Sequence, residues 1–372
     1  MKYYIIAGEA SGDLHGSNLM KSIFQEDNNA QIRFWGGDLM QNAGGTLVKH
    51  YRDLAFMGFA EVVMNLRTIL SNIDVCKKDI LDFNPDILIF IDYPGFNMRI
   101  AKWAKKLGFK THYYISPQIW AWKENRIKAI KRDVDKMYVI LPFEKDFYEK
   151  KHNYPVEFVG HPLIDAIQNR TSTNPEEFKK EHQLSDKPVI ALLPGSRKQE
   201  IAKMLSEMLS VVDYFPDYQF VIAGAPSQEY SFYQQFLTQK NIKFISNKTY
   251  DLLSISHAAL VTSGTATLET ALFKVPEVVL YKGNWISYQI AKRIITLKYI
   301  SLVNLIMDQE VVTELIQDEC NQKRIKEELT RILNPEHRSS LLEKYSELET
   351  KLGGKGASAT TAKLIVSALK QK

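Results

Sequence analysis

The chain has 372 residues, more than one hydrophobic core usually supports, so two domains are expected. Apolar residues make up 45% and charged residues 24%, which excludes disordered and collagen-like classes, and the two cysteines, Cys76 and Cys320, suggest neither a disulfide framework nor a zinc site. Net charge is +5, yet ten Lys or Arg residues stand against three acids between Lys102 and Lys136, a local excess that suits anionic lipid headgroups, phosphorylated substrates or nucleic acid, and equally a set of solvated helix faces.

The apolar run from Met1 to Gly8 ends at Glu9 without the length or cleavage pattern of a signal peptide, and predicts a buried first strand in a protein of the reducing cytoplasm. No stretch of about 18 apolar residues is present, so no membrane-spanning helix is expected. Further strands are predicted at Ile32 to Trp35, Asp86 to Ile91, Lys110 to Ile115 and Lys136 to Val139, with helices over His15 to Phe24, Ala60 to Leu81 and Met98 to Leu107. Strands separated by helices imply right-handed crossovers and a doubly wound parallel sheet. Polar sequence from Gln168 to Lys187 reads as a linker, and the alternation restarts at Val189 to Leu193, Gln219 to Ala223, Lys243 to Ile245, Ala259 to Val261 and Glu277 to Leu280. The predicted class is α/β, with two doubly wound Rossmann-like domains facing across a cleft: residues 1–167, residues 168–339, and a helical tail over 340–372 that could return to the first domain.

Ligands of open parallel sheets bind beyond the carboxyl ends of the strands, which makes the following loops the places to look for chemistry. The first loop, Gly8-Glu9-Ala10-Ser11-Gly12-Asp13, is not GxGxxG, and its two acids would repel a pyrophosphate; Ser11 or Asp13 could equally cap a helix. Asp92, in Asp92-Tyr93-Pro94-Gly95-Phe96-Asn97, ends a buried apolar strand, where desolvation can raise a carboxyl toward the range of a general base; the alternative is an Asx turn. Trp120 and Trp122 line a sugar or acyl pocket or else pack beneath their loop. Gly160-His161-Pro162 resembles a hinge, with His161 as readily structural as catalytic. In the second half, Gly195, Ser196 and Arg197 combine a glycine turn, a hydroxyl and a guanidinium at a predicted helix start, a combination that suits a diphosphate leaving group. Ser263, Gly264 and Thr265 offer a second set of free amides, with Glu269 one turn later able to accept hydrogen bonds from ribose hydroxyls.

These motifs, with Met57-Gly58-Phe59-Ala60-Glu61-Val62, Ser116-Pro117-Gln118-Ile119-Trp120-Ala121-Trp122, Leu141-Pro142-Phe143-Glu144 and Ser301-Leu302-Val303-Asn304-Leu305, run in order along almost the whole chain. Together they resemble the lipid-A-disaccharide synthase family, glycosyltransferases of the two-Rossmann-domain GT-B fold. The resemblance implies an inverting transfer of 2,3-diacylglucosamine from UDP-2,3-diacylglucosamine to the 6-hydroxyl of 2,3-diacylglucosamine 1-phosphate, giving a β-1,6 disaccharide and UDP, with no metal and no cofactor. It implies Asp92 as general base and Glu9, Ser11 and Asp13 as the acceptor-side loop. Arg197 then holds a UDP phosphate, and Glu269, Gln289 and Asn304 fall on the nucleotide side. Lipid substrates imply a peripheral site on the cytoplasmic face of the inner membrane, with the basic stretch and the helix from Ala60 to Leu81 against the surface or, for that helix, in the core. The family commonly carries Asp-Ala-Pro-Asp-Phe-Asn where this chain has Tyr93 and Gly95, which argues against a scheme with two carboxylates in that motif. Its Leu-Pro-Asn is Leu302-Val303-Asn304 here, and His15 and Ser17 are further departures. Two other readings are open: a GT-B epimerase acting on UDP-N-acetylglucosamine, and a non-catalytic nucleotide-sugar binder at a membrane surface. No RRM, KH or helix-turn-helix signature accompanies the basic stretch, so nucleic acid is not an expected partner.

Overall fold

A computed structural model describes the chain except for residues 55–65, 227, 238–241, 284–297 and 371–372. Two compact units are formed, one by Met1–Asn169 with Leu352–Lys372, the other by Arg170–Lys351. The Met57 to Val62 motif and Gln289 lie outside the described residues, as does the beginning of the helix expected from Ala60.

The first unit is built on β1 (Lys2–Ala7), β2 (Gln31–Gly36), β3 (Thr46–His50), β4 (Ile87–Ile91), β5 (Thr111–Tyr114), β6 (Lys136–Val139) and β7 (Glu157–Phe158). They form one sheet in the order β3-β2-β1-β4-β5-β6-β7, with every pairing parallel. All five residues of β4 are buried, as both faces of a crossover-covered sheet require. The helix α1 (Ala10–Glu26) follows β1, the short helix α2 (Asp38–Ala43) follows β2, and α3 (Leu66–Phe83) precedes β4. Along α3, Ile73, Cys76 and Ile80 are buried while Leu70, Val75 and Leu81 are exposed. Thus α3 feeds the core with one stripe and leaves apolar side chains outside it. After β4 comes α4 (Pro94–Lys106), which starts four residues before the expected Met98 because a proline at the first helical position loses no hydrogen bond there.

In the second unit β8 (Val189–Leu193), β9 (Gln219–Gly224), β10 (Ile242–Ser246), β11 (Ser256–Thr262), β12 (Glu277–Tyr281) and β13 (Glu314–Ile316) form a parallel sheet ordered β10-β9-β8-β11-β12-β13. Three strands were not predicted, β3, β7 and β13. Each lies at a sheet edge, is short or only partly buried, and so lacks the continuous apolar run that marks an inner strand.

The tail divides rather than moving as one piece from Ser340. The helix Pro335–Lys351 stays with the second unit, whereas Ala357–Lys370 belongs to the first. Gly353, Gly354 and Gly356 take positive φ between them, a conformation glycine adopts without strain. Asp165 then fixes the returning helix by accepting from the Gly356 and Ser358 amides at 2.7 and 2.9 Å. Among the described residues no helix is long and apolar enough to cross a membrane.

In both sheets the winding reverses at one point, between β1 and β4 in the first and between β8 and β11 in the second. Side chains just beyond these four strands therefore gather at a crevice in each unit, by topology alone.

Candidate active site

At the first reversal, the chain leaves β4 through two consecutive non-glycine residues in the left-handed region, Asp92 at φ 43° and Tyr93 at φ 48°. Such residues cost roughly 1–3 kcal/mol each and persist only where the surroundings hold them. Here Asn97, fully buried on α4, donates to the Asp92 carbonyl at 2.7 Å and to the ends of β4 and β1 at Ile91 O and Ile6 O, both 3.3 Å. The Tyr113 hydroxyl donates to the same Asp92 carbonyl at 2.6 Å. Gly8 completes the corner, because a Cβ there would overlap the Tyr93 ring. That is the physical need for a glycine at this place in the first loop, and it concerns a side chain rather than a phosphate.

Burial pushes the Asp92 carboxyl up to about 6, and the neighbouring charge of Glu9 pushes in the same direction, against a backbone hydrogen bond from Tyr93. Gly95 faces open space: a Cβ added there would meet nothing within 4 Å, so a larger residue would fit. The second acid bearing on Asp92 thus comes from the β1 loop and not from the Asp92 motif.

Glu9 itself is the N-cap of α1, so Ser11 falls inside the first turn, where both are exposed. Asp13 differs. Its carboxylate is buried and accepts from Gly37, Leu39 and Met40 amides at 2.7, 3.1 and 3.0 Å, capping α2 from across the loop. Hydrogen bonds to a charged acceptor contribute about 1.5–3 kcal/mol each, so Asp13 anchors the loop between β1 and α1 from beneath while Glu9 and Ser11 remain at its surface.

The two tryptophans after β5 have opposite surroundings. Trp120 is tethered through its indole N–H to Glu144 Oε1 at 3.2 Å and packs edge-on against Phe143. Buried Glu144 also accepts from Ser116 and from the Ile140 and Leu141 amides, so it staples the β5 loop to the end of β6. Trp122 is 47% exposed, with Lys123 Nζ 4.1 Å and the Arg126 guanidinium 5.7 Å from its ring. His161 caps the helix Pro162–Gln168 by accepting from the Leu163 amide at 3.2 Å, and burial holds its pKa down to about 3. It is neutral and structural.

At the second reversal a cavity of about 340 Å³ is lined by Gly195, Ser196 and Arg197 after β8, by Thr262, Ser263, Gly264 and Thr265 after β11, and by Glu269. Two of the predicted anion loops therefore share one space. Gly195 takes φ 101°, and Arg197, exposed at the N-cap of the helix Lys198–Leu209, accepts from the Ile201 amide through its carbonyl at 2.8 Å while its guanidinium makes no hydrogen bond or ion pair among the described residues. Glu200 also lines the cavity and accepts from the Ser196 amide at 3.1 Å, placing a carboxylate where an anion would be received. Glu269 is buried enough to have its pKa raised, and receives the Tyr250 hydroxyl on Oε1 at 2.9 Å.

Asn304 does not line this cavity. It is fully buried, with its amide donating to Val312 O and Glu314 Oε1 at 2.8 and 2.9 Å and its oxygen accepting from Val311 and Val312 amides at 2.7 and 3.0 Å. Its four hydrogen-bonding positions are therefore occupied within the protein. Its link to the site is indirect: Glu314 also accepts from the Ile300 amide, and the Ile300 carbonyl accepts from Ser263 Oγ at 3.1 Å. Asn97, Tyr113, Glu200, Tyr250 and Glu314 belong to the site's framework and were not singled out from sequence. Only Asn97 and Glu200 had a local signal, through their closeness to Asp92 and Arg197.

The sequence profile described as Lipid-A-disaccharide synthetase matches residues 3–368. The lipid-A-disaccharide synthase of Syntrophus aciditrophicus is 39% identical, covering 99% of this chain and 97% of its own. That of Coxiella burnetii (strain CbuG_Q212) is 40% identical, with 97% and 96% covered. Among solved structures, the UDP-GlcNAc 2-epimerase of Neisseria meningitidis bound to UDP-GlcNAc superposes with a TM-score of 0.69 over 100% of both chains at 16% identity, a likeness of fold alone. The two parallel α/β sheets are those of GT-B proteins. With a full-length profile match and relatives near 40% identity, this chain belongs to the lipid-A-disaccharide synthase family, the glycosyltransferases of lipid A biosynthesis.

Proposed function

We propose that the enzyme condenses UDP-2,3-diacylglucosamine with 2,3-diacylglucosamine 1-phosphate, with inversion at the anomeric carbon, to give the β-1,6-linked disaccharide 1-phosphate and UDP, using neither metal nor cofactor. Asp92 takes the proton of the acceptor 6-hydroxyl as that oxygen attacks C1. The bond from C1 to the β-phosphate oxygen breaks, and the charge that develops on UDP meets Arg197 and the amides around Gly195, Ser196, Ser263, Gly264 and Thr265. Glu269 accepts from the ribose, Gln289 adds to the nucleotide side, and Asn304 acts through Glu314. Glu9 and Ser11 face the acceptor, on a loop that Asp13 anchors.

The observation that carries this reading is the carboxyl of Asp92, lifted to about 6 at a strained and heavily braced strand end. A base at that value is largely ionised at neutral pH yet basic enough to draw a hydroxyl proton. Lipid substrates place the enzyme at the cytoplasmic face of the inner membrane as a peripheral protein. The exposed Trp122 beneath Lys123 and Arg126, and the outward Leu70, Val75 and Leu81 of α3, support such a surface.

The test is UDP release from UDP-2,3-diacylglucosamine in detergent, with and without 2,3-diacylglucosamine 1-phosphate and without added metal. Release that depends on the acceptor and yields a disaccharide is the expected result. Donor isomerisation without acceptor, or no release in either case, would overturn it.

A further inference from the structure

Glu269, which lines the cavity of the second unit, receives a hydrogen bond that packing does not require. Tyr250 lies on the helix Thr249–Ile255, with its ring centroid 5.2 Å from that of Phe273, and the Arg170 guanidinium lies 5.1 Å from the Phe273 ring. Arg170 is itself held by Asp251 Oδ1 at 3.1 Å and Thr173 Oγ1 at 2.9 Å. A phenylalanine would preserve all of these ring contacts. What the tyrosine adds is its hydroxyl, which donates to Glu269 Oε1 at 2.9 Å.

Glu269 needs such a donor for two reasons. A carboxylate side chain on the first turns of a helix has several rotamers, and only one directed into the cavity can meet a ligand; a fixed donor on one oxygen selects among them. Burial also disfavours its charged form, while a hydrogen bond from Tyr250 favours it. The phenol is in turn kept protonated by burial and by the Glu269 charge, so it remains a donor throughout the useful pH range. Among the described residues Oε2 and the second lone pair of Oε1 accept no other hydrogen bond, the complement that two adjacent hydroxyl donors demand.

Resting on the UDP reading above, we propose that Tyr250 is a positioning residue for nucleotide recognition: its hydroxyl orients the Glu269 carboxylate to accept from both hydroxyls of the ribose. Tyr250 does not touch the reacting atoms. It sets discrimination between a nucleoside diphosphate with a ribose diol and one without.

The experiment is calorimetric binding of UDP and of 2′,3′-dideoxy-UDP to the full chain, with the native protein, Tyr250→Phe, Glu269→Gln and the double variant. Tyr250→Phe is expected to weaken UDP about tenfold, the equivalent of one hydrogen bond to a charged group, while changing the dideoxy nucleotide less than about twofold. The UDP loss should grow as pH falls, because Glu269, already pushed up by burial, protonates more readily without its donor. In the Glu269→Gln background, Tyr250→Phe should have little further effect. Equal weakening of both nucleotides would make Tyr250 a scaffold residue and overturn the proposal, as would unchanged UDP binding. Failure of the native protein to bind either nucleotide would overturn the UDP reading itself, and this proposal with it, a result separate from a failure confined to Tyr250→Phe. Thermal unfolding of Tyr250→Phe within about 2 °C of the native protein separates a binding loss from a folding loss.

Discussion

The two sheet reversals share one topology and carry opposite chemistry. The first gathers acids: Asp92 on a left-handed corner, Glu9 beside it and Asp13 beneath. The second gathers small residues and amides around a cavity, with Arg197 at its rim. Parallel winding brings strand ends together in both cases, and the residues placed there decide whether carboxyls or amides and a guanidinium meet at the crevice. The braces differ too. Around Asp92 they are Asn97 and Tyr113, fastening a backbone carbonyl and so fixing a strained corner. Around Glu269 the brace is a hydroxyl on the carboxylate itself.

Substitution at each crevice tests whether the division of labour is real. Asp92→Ala should lower the transfer rate by about 10²–10⁴ and leave UDP affinity within about twofold, whereas Arg197→Ala should weaken both. Single-turnover transfer and UDP calorimetry on the two variants would expose any overlap, and a loss under about tenfold for Asp92→Ala would remove it as the base. The next effect is in pH. With Asp92 at about 6, activity should rise as pH increases through that value, since the base works when deprotonated. Glu9 raises Asp92, so Glu9→Gln should move this acid limb downward by under about one unit, and added salt should do the same to the native enzyme by screening Glu9. A limb that stays in place would mean that burial alone sets it. The smallest effect belongs to the second crevice. Glu200→Gln keeps an acceptor for the Ser196 amide but removes a negative charge from the cavity, so UDP should bind about two- to fivefold more tightly, by roughly 0.5–1 kcal/mol. Weaker binding would show that the Glu200 charge itself contributes to the site.

Much of the fold could be read directly. The inner strands are unbroken apolar runs, and their alternation with helices entails parallel crossovers, so the five strands expected in each half were found. Asp92, Arg197 and the Ser263 to Thr265 loop were legible because a strand end followed by polar or small residues has a local signature. The edge strands β3, β7 and β13 have none, being short or part-exposed and mixed in composition, whereas β10, also at an edge, was expected from Lys243 to Ile245.

What the linear chain determined, then, was which segments must be buried and which loops must lie at their carboxyl ends, because burial and helical periodicity are local properties of composition and spacing. Tertiary structure alone decided which of those loops meet and what each polar group holds. Asp13 caps a helix that begins only at Asp38, Asn304 satisfies itself within residues 311–314, and Tyr250 reaches Glu269 across 19 residues of chain. A hydrogen bond needs two partners placed within about 3 Å, and for residues far apart in sequence only the folded sheet sets that distance.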